Sequence, residues 1–258
     1  MNRKPVFDAV RAMLGRGFTQ GEVAELDRAL DAAMVPHDEA RAPDGHRLGA
    51  LSEHFESGGR GAGAVSSGAG DPGGVSYGIW QLSSRAGVAA AFMANEGARW
   101  AADFAGARPG TPAFGAAWQA VARRDGDAFA DAQRAFIARS HYRPAVAAVL
   151  RERGLDLDAR HPAVRDAAWS VAVQHGGAAR ILGAAVAKAD AAPGRADPAY
   201  DRALVDAIYA ERSAYVLRLA DRAGAASAEG RLLHAITRNR YPVERAAALA
   251  IFESTASA

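Results

Sequence analysis

The sequence predicts a mostly α fold with one small β-hairpin placed early. Three observations carry this. From Ala86 onward, Ala-rich stretches set apolar residues at helical spacing, with proline and glycine at the joints. Residues 57–74 are Ser, Gly, Ala and one Asp-Pro pair, almost without large side chains. Residues 75–82 then turn apolar again, as a short strand run does.

Taken in order, Val6, Val10, Met13 and Leu14 form a short amphipathic stripe that Gly15 and Gly17 end. Thr19-Gln20-Gly21-Glu22 is a capping-box pattern, and Val23, Leu26 and Leu30 follow on one face. Residues 4–34 therefore read as a helical hairpin, and 1–40 as an N-terminal helical extension ahead of a main domain over 46–258. Pro36 to Asp44 is polar, with two prolines, and reads as a linker. Leu48, Leu51 and Phe55 predict a helix over about 47–55, ending in Glu56-Ser57-Gly58-Gly59. Val65 and Val75 would start two short strands, with Gly68 to Gly74 as the turn. Helices then follow over 87–105, 111–122, 126–139, 143–153, 162–175, 177–190, 198–221, 228–237 and 242–252. Pro144 and Pro162 sit where first turns would begin, and His175-Gly176-Gly177 reads as a helix stop.

Composition narrows the function. At 258 residues, 50% hydrophobic and 23% charged, the chain can build a real core. Lys+Arg 31 against Asp+Glu 29 is too even for a protein that coats nucleic acid, so no nucleic-acid partner is expected. Cysteine is absent, which excludes disulfides, thiolate zinc sites and cysteine nucleophiles. The seven His are scattered without an i, i+4 pair, so neither a metal nor a cofactor is expected. No run of about 18 apolar residues occurs, so no membrane insertion is expected. Met1-Asn2-Arg3-Lys4-Pro5 is basic, but Asp8 and Arg11 interrupt the apolar residues after it, so no signal peptide is expected.

Two carboxyls stand out. Glu56 closes a helix whose other face is apolar, and partial burial there would keep it protonated, as a general acid requires. Asp71 lies fifteen residues later, among glycines that cannot bury it, and should stay ionised. Glycosidic cleavage needs that asymmetry: one group protonates the leaving oxygen while the other handles water or the cation. The plainer alternative is a solvated Glu at a helix end and an Asp-Pro turn former. A long glycine-rich loop favours the functional reading, since glycines let a backbone lie close to a polymer.

Tyr77, Trp80 and Gln81 follow on the same run. Aromatic faces and an amide suit sugar rings, although Trp80 reads as core rather than platform. Gln81, set among apolar residues, must find partners if buried. Gly74-Val75-Ser76-Tyr77-Gly78 matches the G-x-S-x-G elbow of serine hydrolases, with Asp166 and His175 in legal triad order. The α/β alternation such an elbow needs is absent. The glycine run lacks the Gly-Lys-Ser/Thr of a phosphate-binding loop. In Trp169-Ser170-Val171-Ala172-Val173-Gln174-His175-Gly176, Gln174 or His175 would sit beside a cleft, or else the segment is a core helix with a capped His. The charges at Glu211, Arg212, Arg238, Arg240, Glu244 and Arg245 interleave with apolar residues and read as ion pairs between helices.

Three strings together go beyond a generic helical protein. They are Phe55-Glu56-Ser57-Gly58, the run from Val65 through Gly70-Asp71-Pro72-Gly73-Gly74-Val75-Ser76-Tyr77-Gly78-Ile79-Trp80-Gln81-Leu82 to Ser84, and Trp169 to Gly176. Over roughly residues 46–250 the chain resembles the chitosanase-like branch of the lysozyme superfamily. Similar domains occur in phage lysins and at the C-terminal end of some type VI secretion spike proteins, where they act as muramidases. The Glu-Ser…Gly-x-x-Gln part is also shared with lytic transglycosylases.

The resemblance implies a two-lobed, lysozyme-like helical fold with the hairpin at the active site. It implies Glu56 as the acid and Asp71 as the carboxylate that activates water. Ser76 and Tyr77 would line the cleft, and the reading of the residues themselves adds Gln81, Gln174 and His175 as expected substrate-binding residues. The substrate would be the peptidoglycan glycan strand, cut between N-acetylmuramic acid and N-acetylglucosamine, with inversion. A protein made in the cytoplasm without a signal peptide would reach the wall of a target cell by a phage or a secretion machine. A spike protein and a cognate immunity protein would be its partners. The rival readings are a chitosanase, a lytic transglycosylase, a serine esterase, and a non-catalytic wall-binding or tail module.

Overall fold

The computed structural model describes residues 16, 19, 22, 46–57, 61–71 and 73–255, without the side chains of residues 54, 56, 57 and 255. The chain divides into two compact units, Met1–Glu39 and Ala40–Ala258. In the first, Thr19 and Glu22 exchange the two hydrogen bonds of a capping box. The Glu22 amide donates to Thr19 Oγ1 (3.2 Å), and the Thr19 amide donates to Glu22 Oε2 (2.9 Å). Arg16 pairs with the same carboxylate at 2.6 Å, and its bond, followed by the Thr19 amide, holds Glu22 down at about 2. The rest of the predicted 4–34 hairpin, and the linker after it, lie outside the described residues.

The second unit is mostly helical with a two-stranded antiparallel hairpin. Its elements are α1 (Ala50–Ser57), β1 (Ser76–Tyr77), β2 (Leu82–Ser83), α2 (Val88–Ala94), a 3-10 helix (Ala98–Phe104), α3 (Pro112–Arg124) and α4 (Gly126–Ile137). A π turn (Ala138–Tyr142) leads to α5 (Arg143–Arg153), α6 (Pro162–Gln174), α7 (Ala178–Ala191), α8 (Tyr200–Ala223) and α9 (Ala228–Ala235). A second π turn (Ile236–Arg240) leads to α10 (Tyr241–Thr255).

The helix α6 is the axis of the unit. Every residue from Pro162 to Ala172 is buried, and α1, α7, α8 and α10 all pack on it. Pro162 opens it, where a missing N–H costs nothing, and His161 Nδ1 takes the Ala163 amide. A second part of the core is aromatic. Trp118 on α3 stands among Tyr77, Phe92 and Phe129, with ring centroids 4.7–5.4 Å apart.

Three expectations need correction. The predicted hairpin across Gly68 to Gly74 is only a bridge, Val65 opposite Tyr77; the paired strands are β1 and β2, and their turn is 78–81. Ser76–Tyr77 therefore bonds on both edges, taking up residues 64–66 as well: the Ser66 amide donates to Ser76 O (2.9 Å) and the Gly78 amide to Ala64 O (2.7 Å). The predicted helix 87–105 breaks at residues 95–97. There Asn95 Nδ2 donates back to Ala91 O (2.8 Å) and the Gly97 amide turns to Phe92 O (2.9 Å). Finally, the helix predicted from 47 starts at Ala50, because its cap comes from elsewhere in the chain.

Candidate active site

That cap is Asp166, fully buried on α6. Its Oδ1 accepts the Gly49 amide (2.8 Å) and its Oδ2 accepts the Leu51 amide (3.2 Å). A carboxylate at these orphan donors both satisfies them and complements the helix dipole. His46 Nε2 lies 3.2 Å from the same Oδ1. Farther along α1, Glu53 is spoken for by the buried Arg134 of α4 (2.9 Å) and by Arg47 (3.4 Å). Glu56 occupies the last turn of α1, next to the half-buried Phe55.

The Asp71 loop is wound on the hairpin. Asp71 is exposed, and its Oδ1 accepts the Gly73 amide (2.7 Å), an Asx turn that fixes the carboxylate over the loop. The Gly74 amide closes onto Asp71 O (2.9 Å), and Ser83 Oγ donates to Gly73 O (2.6 Å).

Below this loop lies a clamp that sequence reasoning missed. Gln133 on α4 is fully buried; its Oε1 accepts the Ile79 amide (3.0 Å) and its Nε2 donates to Ala62 O (3.1 Å). Trp118 Nε1 donates to the same Ala62 carbonyl (2.8 Å). Gly78 is what lets the amide in: a Cβ there would stand 2.1 Å from Gln133 Oε1. The signal was available, since Gln133 falls on the face of α4 that carries Phe129, Phe136 and Ile137.

Gln133 and Arg134 are consecutive. One holds Ala62 and Ile79, on either side of the loop that carries Asp71, and the other holds the helix that carries Glu56. The helix α6 repeats the arrangement, with Asp166 on α1 and Trp169 against Trp80 of the hairpin turn (5.4 Å between centroids). Two rigid helices thus tie together the two elements on which the expected carboxyls stand.

The other expected site residues divide. Ser76 is buried, and its amide donates to Ser66 Oγ (2.8 Å). Tyr77 is a core residue: its ring meets Phe114 edge-on at 4.9 Å, and its hydroxyl accepts the Gly110 amide (2.8 Å). Burial raises the Tyr77 pKa, opposed by that amide. What Tyr77 offers a ligand is therefore the placement of the strand rather than an exposed face. Gln81 is half-buried in a left-handed conformation (φ 51°) that side chains rarely adopt, and its Nε2 donates to Gly78 O (3.1 Å).

Gln174 and His175 belong to a network around two fully buried charges. Arg212 on α8 and Glu244 on α10 meet at 3.1 Å. Glu244 also accepts from Arg240 (3.0 Å), Tyr209 (3.3 Å) and Ser170. Burial works against the Glu244 carboxylate, but Arg212, Ser170 and Arg240 outweigh it and hold it below the usual range. Gln174 Oε1 accepts from Arg212 (2.6 Å) and from the Tyr241 hydroxyl (2.8 Å). His175 Nε2 accepts from Arg212 Nε (3.4 Å). Burial first, then Arg212 and Arg240, push the His175 pKa down to about 4, so the ring is neutral near pH 7. Arg240 also stands 5.8 Å over the Phe55 ring, which brings this network to the end of α1. Of the charges read as ion pairs, Arg212 and Glu244 meet in the interior with Arg240 at their edge, while Arg245 pairs with Asp206 and Glu211 with Lys188 nearer the surface.

The serine-hydrolase arrangement is not. Asp166 caps α1, His175 belongs to the Arg212 network, and β1 runs into a turn and β2 rather than into a helix.

Residues 48–231 match the family described as type VI secretion system spike protein VgrG3-like, C-terminal. The chain belongs to this family. A curated relative, the type VI secretion system spike protein VgrG3 of Vibrio cholerae serotype O1, is 39% identical over 135 residues. That alignment takes in 52% of this chain and 13% of the relative, so the chain corresponds to a small part of a VgrG3 spike protein. Among the described residues of this VgrG3-like domain, no helix is long and apolar enough to cross a membrane.

Proposed function

We propose that the chain is a peptidoglycan hydrolase, a muramidase that cuts the β-1,4 bond between N-acetylmuramic acid and N-acetylglucosamine. Glu56 at the end of α1 protonates the leaving oxygen, and Asp71 on the loop before β1 activates the water. The observation that carries the reading is the Gln133–Arg134 pair, which ties the two ends of the Asp71 loop, at Ala62 and Ile79, and the Glu56 helix to one helix. Catalysis by two carboxyls requires such a fixed frame, because small misplacements of either group cost large factors in rate. Inversion corresponds to carboxyls about 6.5–9.5 Å apart, with room for the water between them.

Membership of the spike-protein family supports delivery by a type VI machine to the wall of a target cell. A producer of such an enzyme needs an immunity protein that covers the site. The test is product analysis on purified sacculi. Wild type should release fragments with reducing muramic ends, and Glu56→Gln, which keeps shape and loses the acid, should lower turnover at least a thousand-fold. Normal lysis by Glu56→Gln refutes the assignment. Anhydro-muramic products identify a transglycosylase, and binding to sacculi without cleavage identifies a wall-binding module.

A further inference from the structure

Arg85 follows β2 and folds back over the Asp71 loop. Its amide donates to Gly73 O (3.1 Å), and its Nη1 donates to the Asp71 carbonyl (3.4 Å). Gly74 makes room for the side chain. Its φ is +73°, and a Cβ there would lie 2.9 Å from Arg85 Cγ and 2.7 Å from Ser84 Oγ. The Arg85 stem is thus laid across the loop, while Arg85 and Asp71 are both exposed. Among the described residues the guanidinium has this one long bond, so most of its five N–H donors face solvent.

A cation laid over the backbone of the loop that carries Asp71 has a chemical consequence. A glucosamine polymer would bring ammonium groups to the same place, and like charges oppose binding there. A muramyl sugar brings the opposite: its 3-O-lactyl arm ends in an acyl oxygen, a carboxylate when the stem peptide has been removed and an amide carbonyl when it has not. A guanidinium fork is well matched to either acceptor. We propose that Arg85 is a specificity-determining residue that binds the lactyl acyl group of the muramyl unit beside the scissile bond. The inference rests on the hydrolase reading and on the role given there to Asp71.

The test uses glycan strands freed of stem peptides, half of them carboxyl-reduced so that each lactyl acid becomes an alcohol. Wild-type kcat/KM should favour the carboxylate strands roughly ten- to a hundred-fold, the range of a charge-assisted hydrogen bond. Arg85→Gln keeps most of the stem over Gly74 but loses the charge, and should bring that ratio toward one. Arg85→Lys should retain part of the preference. A wild-type ratio near one, a ratio unchanged in Arg85→Gln, or equal losses on both strands in that variant would each overturn the inference. Wild-type inactivity on both strands would overturn the hydrolase reading, and this one with it.

Discussion

Gln133 offers the sharpest test of the frame, because its replacement by methionine preserves length and removes both hydrogen bonds. The two lost partners do not suffer equally. The Ala62 carbonyl keeps the Trp118 indole at 2.8 Å, so it remains satisfied. The Ile79 amide loses its acceptor in a position where the residue is 1% exposed. One orphaned buried donor costs about 1–3 kcal/mol, against a total stability on the order of 5–15 kcal/mol. For a unit of this size that is a fall in Tm of roughly 2–12 °C. Gln133→Met should therefore stay folded at room temperature with a measurably lower Tm. The hairpin, no longer fixed at Ile79 and no longer bridged to Ala62, should shift against α1, and kcat/KM on peptidoglycan should drop at least about ten-fold per folded molecule. Calorimetry and a soluble-strand assay on the same sample give both numbers. A variant that loses the expected stability but keeps full activity per folded molecule would show that the clamp does not position the site.

The buried network gives further tests. Glu244→Gln strands Arg212, which is as buried as its partner, and should cost about 3–5 kcal/mol by denaturant unfolding. Arg212→Met combined with Glu244→Leu removes the pair together, and should recover part of that loss. If the double variant is no more stable than Glu244→Gln alone, the desolvation argument fails. His175 gives a pH signature. Its folded pKa of about 4 lies below the unfolded value of about 6.5, so the unfolded chain binds more protons between them. Stability is then full above about pH 6.5, and falls by up to about 3 kcal/mol as the pH drops to about 4. In His175→Gln the slope of unfolding free energy between pH 5 and 6.5 should flatten, and an unchanged slope would refute the assignment. Glu244 acts at lower pH in the same direction: its depressed pKa gives stability that is lost as pH falls through it.

Much of the helical architecture is legible in the sequence, because Ala-rich periodicity and its punctuation are local. The helix starts at 112, 126, 143, 162, 178, 200 and 228 fall within two residues of their predicted places. What escapes are the places where a distant partner decides. The hairpin register is set by Gln133 and by residues 64–66, so valine spacing misplaces the turn. Pro144 reads as a fresh start, but the chain passes from α4 into α5 through a π turn. Pro144 has no N–H to give Ser140, and one widened turn absorbs the gap. Of the expected site, Tyr77 turns inward because its ring completes the aromatic core, while Asp71 stays wet among its glycines. The charges of Arg212 and Glu244 predict an ion pair, but nothing in sequence spacing marks them as the middle of the molecule.

The Asp166 cap joins the start of α1 to a residue more than a hundred positions downstream. A ribosome that has released only the segment up to α5 has made the stretch bearing Glu56 without the carboxylate that anchors it. Any truncated product ending before α6 carries the same defect. Completion of the polypeptide, rather than the local sequence, brings this short helix into register, so unfinished copies lack the seating that the whole chain provides.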